Sequence, residues 1–184
     1  YMVYLIKDDV MHIKEMIYLN WEAKEGLWEY IRAHDSMIDV VRGNSYFSDP
    51  IAFELEDGDI RETIRPYIMG RIVDVEQFFQ KYHCDPTADT VCVTFSVSDP
   101  FLPWNDRTYS VRFHKGECVV LDASAKAAHC HTVHLSIATL TTLLLGYKSA
   151  AKLYRMGRIT ANESTIQLLD DVLLHEIPYI SDYI

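Results

Sequence analysis

Basic residues are scarce in this chain: 17 Lys and Arg stand against 27 Asp and Glu in 184 residues, a net charge of −10. A phosphate-backbone binder needs a basic stripe, so the deficit argues against nucleic acid as a partner and favours cationic small molecules, or serves solubility alone. Glycine (7) and proline (6) are too sparse for a low-complexity chain, and 12% aromatic residues argue against disorder. Long apolar runs are missing as well. Leu143-Leu144-Leu145 falls far short of the ~20 residues that cross a bilayer, so no membrane partner is expected. No signal-peptide pattern opens the chain, because Tyr1 to Ile17 alternates apolar and charged residues. Tyr where Met would stand at position 1 reads as a fragment or a processed product. Cys84, Cys92, Cys118 and Cys130 lack tight pair spacing, and a chain of this length can build a core without staples. Reduced thiols in a cytoplasmic protein are therefore expected.

What is present is periodicity. Tyr1–Ile6 and Val10–Ile17 read as two strands joined by a turn at Lys7-Asp8-Asp9. Asn20 is placed to cap a helix whose apolar face carries Ala23, Leu27, Tyr30 and Ile31. Met37–Val41 and Tyr67–Val73 read as further strands. Asp74 stands as an N-cap with Gln77 at the capping-box position, ahead of Val75, Phe78, Phe79 and Tyr82 on one helical face. Val91, Val93, Phe95 and Val97 alternate with Cys92, Thr94 and Ser96, the pattern of a half-buried strand. Tyr109, Val111 and Phe113 repeat that pattern, Lys115-Gly116 can turn the chain into Cys118–Leu121, and one more strand falls near Cys130–Leu135. Three helices close the chain: one capped by Ser136 and stopped by Gly146, one over Ser149–Met156 ended by Gly157, and one opened by Asn162 or Ser164. The sum is an α+β chain with mostly antiparallel pairing.

Local motifs give little chemistry. His129-Cys130-His131 with His134 has metal-ligand residue types, but zinc wants about four converging ligands. Strand parity separates His129 and His131 from Cys130 and His134, so no metal is expected. No Gly-x-Ser-x-Gly, Walker loop or dinucleotide fingerprint is present. Arg155-Met156-Gly157-Arg158 resembles the phosphate-cradling turn of acyl-CoA enzymes, yet Gly157 reads as a helix end, where backbone donors are spent.

An ordered series of longer segments says more. Met69-Gly70-Arg71-Ile72-Val73-Asp74-Val75, then Leu140–Ser149 with its Leu-rich helix ending in Gly146-Tyr147-Lys148-Ser149, then Leu153, Gly157, Arg158, Ile159 and terminal Asp182-Tyr183 resemble the C-terminal domain of Eis-like acetyltransferases. These belong to the GCN5-related N-acetyltransferase (GNAT) superfamily. Upstream, Leu27-Trp28-Glu29-Tyr30 and His34-Asp35-Ser36-Met37-Ile38 resemble the second GNAT-like domain of the same proteins.

The resemblance implies a division into 1–70, the later part of a GNAT-like domain, and 71–184, a sterol-carrier-protein-like domain with an antiparallel sheet and helices on one side. It implies that acetyl-CoA serves the full-length parent and that the acceptor is a cationic primary amine, aminoglycoside-like or lysine-like. No cofactor-binding residue falls in this chain, because the family's Arg/Gln-x-x-Gly-x-Gly/Ala loop is missing, so the fragment alone is expected to be inactive. Carried over position by position, the resemblance makes the terminal carboxylate of Ile184 the general base, with Tyr183 and Asp182 as substrate-binding neighbours. The family usually ends in an aromatic residue, and Ile184 departs from that. A homo-oligomer, a hexamer by resemblance, is implied too. The alternatives are a lipid- or sterol-binding module and an architectural oligomerisation domain without catalysis.

Overall fold

The structure is a computed structural model that describes residues 1–45, 51–55, 59–65, 67–122 and 130–180. The chain divides into two compact units, Tyr1–Ile64 and Arg65–Ile184.

In the first unit β1 (Met2–Lys7) and β2 (Val10–Met16) pair antiparallel, with a register shift at Val3/Tyr4. Asp8 and Asp9 at φ 52° and 59° make the tight turn between them, a conformation that short polar side chains tolerate. Asn20 caps α1 (Trp21–Arg32): its side-chain oxygen accepts from the Ala23 amide at 2.8 Å. Returning from α1, β3 (Val40–Gly43) lies parallel to β2, starting three residues later and ending two residues later than the run expected over Met37–Val41. A short helix, α2 (Ile51–Glu54), follows. Lys24 is buried on α1, pairs with Glu54 and lies over the rings of Tyr18 and Trp21.

The second unit carries the main core. Its helices and strands are α3 (Val75–Lys81), β4 (Val91–Ser98), β5 (Thr108–His114), β6 (Glu117–Leu121), β7 (His131–Ser136), α4 (Ile137–Leu144), α5 (Ala150–Arg155), β8 (Ile159–Thr160) and α6 (Glu163–Val172). The sheet order is β6-β5-β4-β7-β8, antiparallel except for the β4–β7 pair. Along β4 the odd residues Val91, Val93, Phe95 and Val97 are buried and the even ones are half-buried until Ser98. Phe79 of α3 stacks into this face beside Phe95 and Phe113, all three with no exposure. Leu140, Leu153, Ile166, Leu169 and Val172 from the later helices complete the layer. Lys115 and Gly116, at φ 48° and 88°, form the β5–β6 turn.

Two expectations fail here. Tyr67–Val73 forms no strand among its described residues. Its main-chain groups go to side chains instead: Ile72 N–H donates to Thr141 Oγ1, and the Val73 carbonyl accepts from Trp104 Nε1 and Asn105 Nδ2. The expectation of four reduced thiols is also overturned, because Cys92 of β4 and Cys130, the residue just ahead of β7, form a disulfide with their Cα atoms 4.7 Å apart. Sequence spacing hid this pair because the sheet brings together residues 38 apart. Cys84 and Cys118 remain as buried thiols.

Candidate functional site

The sequence-predicted site residues Asp182, Tyr183 and Ile184 lie outside the described residues. The path toward them is built from α6. Asn162 caps that helix by accepting from the Thr165 amide at 2.9 Å, and Ile166, Leu169 and Val172 bury its inner face. Asp170, facing away from that core, accepts from the Ala150 and Ala151 amides at 2.6 and 3.0 Å, so one carboxylate satisfies two orphan donors at the start of α5. Beyond α6 the chain runs on without helix or strand through Ile180. Its first part is fastened where the His175 ring meets the Asp170 carbonyl at 2.6 Å, while the end of α6 itself is held by the Asp85 amide donating to the Val172 carbonyl at 2.9 Å. Ile177, Tyr179 and Ile180 stay exposed along this strap.

The four histidine and cysteine positions are dispersed by the sheet. His131 lies on the helix-covered face, its Nδ1 3.2 Å from Thr165 Oγ1, while Cys130 bonds Cys92 and the exposed His134 registers opposite Ser96. His129 lies outside the described residues. Among the described residues no three His, Cys, Asp or Glu converge as metal ligands.

A polar junction that periodicity did not reveal sits where the chain enters α3. Asp99 is buried, and its carboxylate accepts from Arg71 Nη2 at 2.8 and 2.7 Å, from the Phe101 and Leu102 amides at 3.1 and 3.2 Å, and from Asn105 Nδ2 at 3.0 Å. Burial by itself pushes this carboxyl up, but the bonds from Asn105, Arg71 and the two amides outweigh it and hold Asp99 at about 2. Asn105, with no exposure, also accepts from the Val75 amide, so a single side chain ties the start of α3 to the Asp99 turn. Beside it Asp74, Glu76, Gln77, Gln80, Trp104 and Arg107 line an open cleft of about 390 Å³. Its polar groups bond one another: Asp74 accepts from the Gln77 amide and side chain, and Glu76 pairs with Arg107. The signal for this junction was the turn-forming run Asp99-Pro100-Phe101-Leu102-Pro103-Trp104-Asn105, which reads as loop chemistry and nothing more.

The Arg155–Arg158 turn is no cradle for a pyrophosphate. The Gly157 amide donates to the Tyr154 carbonyl and the Arg158 amide to the Leu153 carbonyl, both at 2.9 Å, so these donors close α5 instead of facing a ligand. This turn therefore offers no free amide pair to a pyrophosphate. No helix among them is long and apolar enough to cross a membrane.

Comparison with known proteins agrees with this geometry. The acetyltransferase (GNAT) domain family matches residues 1–72, and the sterol carrier protein domain family matches residues 75–181. A conserved protein from Enterococcus faecalis V583, described as a probable N-acyltransferase, is 25% identical over 100% of this chain, with a TM-score of 0.86. The GCN5-related N-acetyltransferase of Anabaena variabilis shares 20% identity over 100% of the chain at a TM-score of 0.77. Eis1 of Mycobacterium abscessus shares 20% identity over 95% of it at 0.71. The chain spans 46%, 46% and 43% of those three structures respectively, less than half of each. No curated protein sequence matches it. The chain belongs to the sterol carrier protein domain family, with a segment that matches the acetyltransferase (GNAT) domain family ahead of that domain.

Proposed function

We propose that this chain is the carboxy-terminal part of an acetyl-CoA-dependent N-acetyltransferase acting on primary amines, in which the terminal carboxylate of Ile184 is the general base. The observation that carries the reading is the order of the two matches, a GNAT domain segment at 1–72 followed directly by a sterol carrier protein domain at 75–181. The whole-chain likeness to a probable N-acyltransferase supports it.

The chemistry asked of this chain is limited and specific. A primary amine is an ammonium ion at neutral pH and carries no lone pair for attack until it gives up a proton. An α-carboxylate has an ordinary pKa of about 3.5, which makes it a weak base in water. Apolar surroundings raise that value and strengthen the attraction for the ammonium, so one group both holds the acceptor and takes its proton. Asp182 adds a second negative charge, and Tyr183 offers a ring face and a hydroxyl. The net charge of −10 favours approach of such an amine. Acetyl-CoA is left to a part of the enzyme other than the described residues.

A fusion of two or three residues after Ile184 tests the assignment. It turns the carboxylate into an amide and is expected to remove turnover in the complete enzyme, whereas Ile184→Phe, which keeps the carboxylate, is expected to be mild.

A second reading, a lipid- or sterol-binding module, is favoured by the sterol carrier match. Against it, Phe79, Phe95, Phe113, Leu140 and Leu169 fill the layer between sheet and helices where an apolar ligand would sit. Organic extraction of the purified protein separates the readings: a stoichiometric lipid would favour the module.

A further inference from the structure

We propose that the outer edge of β1 is a docking site for one extended strand, supplied by the part of the complete enzyme that lies outside these 184 residues. The proposal rests on the reading of this chain as part of a longer N-acetyltransferase, and it names where the rest of that enzyme attaches. Among the described residues β1 pairs with β2 alone, at one end of the order β1-β2-β3. Its other side is a row of main-chain N–H and C=O groups with no strand beside it, a template for further pairing. Proteins blunt such edges with shortness, charge, proline, a bulge or a covering segment. The other edges of this molecule show these devices. β3 has four residues and carries Arg42, and β8 has only two. β6 opens on Glu117, where His83 bridges it and the Cys84 amide donates to the Gly116 carbonyl at 3.0 Å. β1 has none of them. It runs for six residues without proline, its one charge is Lys7 at the end, and the register shift puts the extra residue, Lys14, on β2.

The side chains of β1 are those of an interior strand. Met2, Tyr4 and Ile6 are half-buried on the face where the Tyr4 hydroxyl meets that of Tyr30 on α1 at 2.5 Å. Val3 and Leu5 point the other way, with Tyr1 just ahead of them, and are 45%, 62% and 64% exposed. A strand apolar on both faces belongs in the middle of a covered sheet, whereas a strand beside solvent alternates apolar with polar. Strand addition gives main-chain bonds along the edge and side-chain contacts at every second residue. The occupant is therefore an extended segment whose apolar side chains cover Val3 and Leu5. Length supports the source. All of this chain aligns with the Enterococcus faecalis protein but covers only 46% of it, so a relative of that size holds ample further chain to supply the strand.

Hydrogen exchange over residues 1–7 tests the proposal, compared between the 184-residue chain and the complete enzyme. In the chain alone, alternate amides of β1 point away from β2 and are expected to exchange rapidly. In the complete enzyme the same amides are expected to slow by about tenfold or more, because a strand bond must open first. Equal exchange in the two would overturn the proposal. So would protection that arises in the chain alone and grows with its concentration, since the occupant is then a second copy. Leu5→Lys is the companion variant. It is expected to leave the unfolding midpoint of the 184-residue chain unchanged, because Leu5 is exposed there. In the complete enzyme it is expected to lower the midpoint by about 4 °C or more, because an unpaired charge then lies under the covering strand. Equal midpoint changes in the two would also count against the docking site.

Neither readout uses turnover, so the two ideas fail separately. A complete protein that protects β1 but transfers no acetyl group sinks the acetyltransferase reading and leaves the docking site standing. One that acetylates amines while β1 exchanges as it does in the 184-residue chain does the reverse.

Discussion

Asp99 shows how much a buried carboxylate can organise when each of its lone pairs has a donor. It collects Arg71, two loop amides and Asn105, and Asn105 in turn holds the start of α3. Its folded pKa, about 2, lies below the ordinary carboxylate value near 3.9, so the stabilisation is present above pH ~4 and is lost as pH falls toward 2. Urea midpoints measured from pH 5 down to pH 2 should fall more steeply for the parent than for Asp99→Asn, which has no proton to take up. Arg71→Ala leaves the Asp99 charge buried without its cation and should cost about 2 kcal/mol at pH 7, measured by the same unfolding curves. Capping residues were legible from sequence because their partners sit three residues away: Asn20, Asp74, Ser136 and Asn162 each accept from the amide expected. Asp99 was not legible, because Arg71 lies 28 residues upstream and only the fold brings it near. Asp182, Tyr183 and Ile184 were read from resemblance, since no local pattern marks a terminal carboxylate as a base.

At the scale of elements, alternation was the strongest signal and the fold follows it. Val91, Val93, Phe95 and Val97 face the helices, and the same parity in β5 brings Phe113 against Phe79. Phe79→Ala empties the centre of that ring cluster and should cost about 4 kcal/mol, read as a lowered urea midpoint with little change in slope. Tyr67–Val73 shows where alternation misleads: its apolar residues mimic a strand, but Thr141, Trp104 and Asn105 take up the main-chain groups that a neighbouring strand would need. The disulfide belongs to this scale too. Cys92 and Cys130 were illegible as a pair because their neighbouring strands are far apart in sequence, and β4–β7 pairing is parallel. Alkylation of the denatured, unreduced protein should modify two cysteines, Cys84 and Cys118, and leave two unmodified. Closing a loop across 38 residues contributes about 4 kcal/mol by chain entropy, so reductant or Cys92→Ala should lower the unfolding midpoint accordingly.

For the whole molecule, the GNAT segment and the sterol carrier protein domain follow one another with only residues 73 and 74 between the matched ranges. The order of the resembling segments made this legible. The chemistry was less so, because the described residues hold an anchored path toward the chain end and not a catalytic constellation. The Arg/Gln-x-x-Gly-x-Gly/Ala loop of the resembling family is missing from the sequence, and the amides of Gly157 and Arg158 are consumed by α5, so we expect calorimetric titration of the 184-residue chain with acetyl-CoA to show no saturable single-site binding. The account stands most directly on the role given to Ile184. In the complete enzyme, turnover of a primary amine should be measured with and without a short extension after Ile184, alongside Asp182→Asn. Loss of the terminal carboxylate should lower kcat by about 10²–10⁴-fold while Asp182→Asn retains measurable turnover. An extended enzyme that acetylates at the parent rate, with Asp182→Asn inactive, would contradict the account.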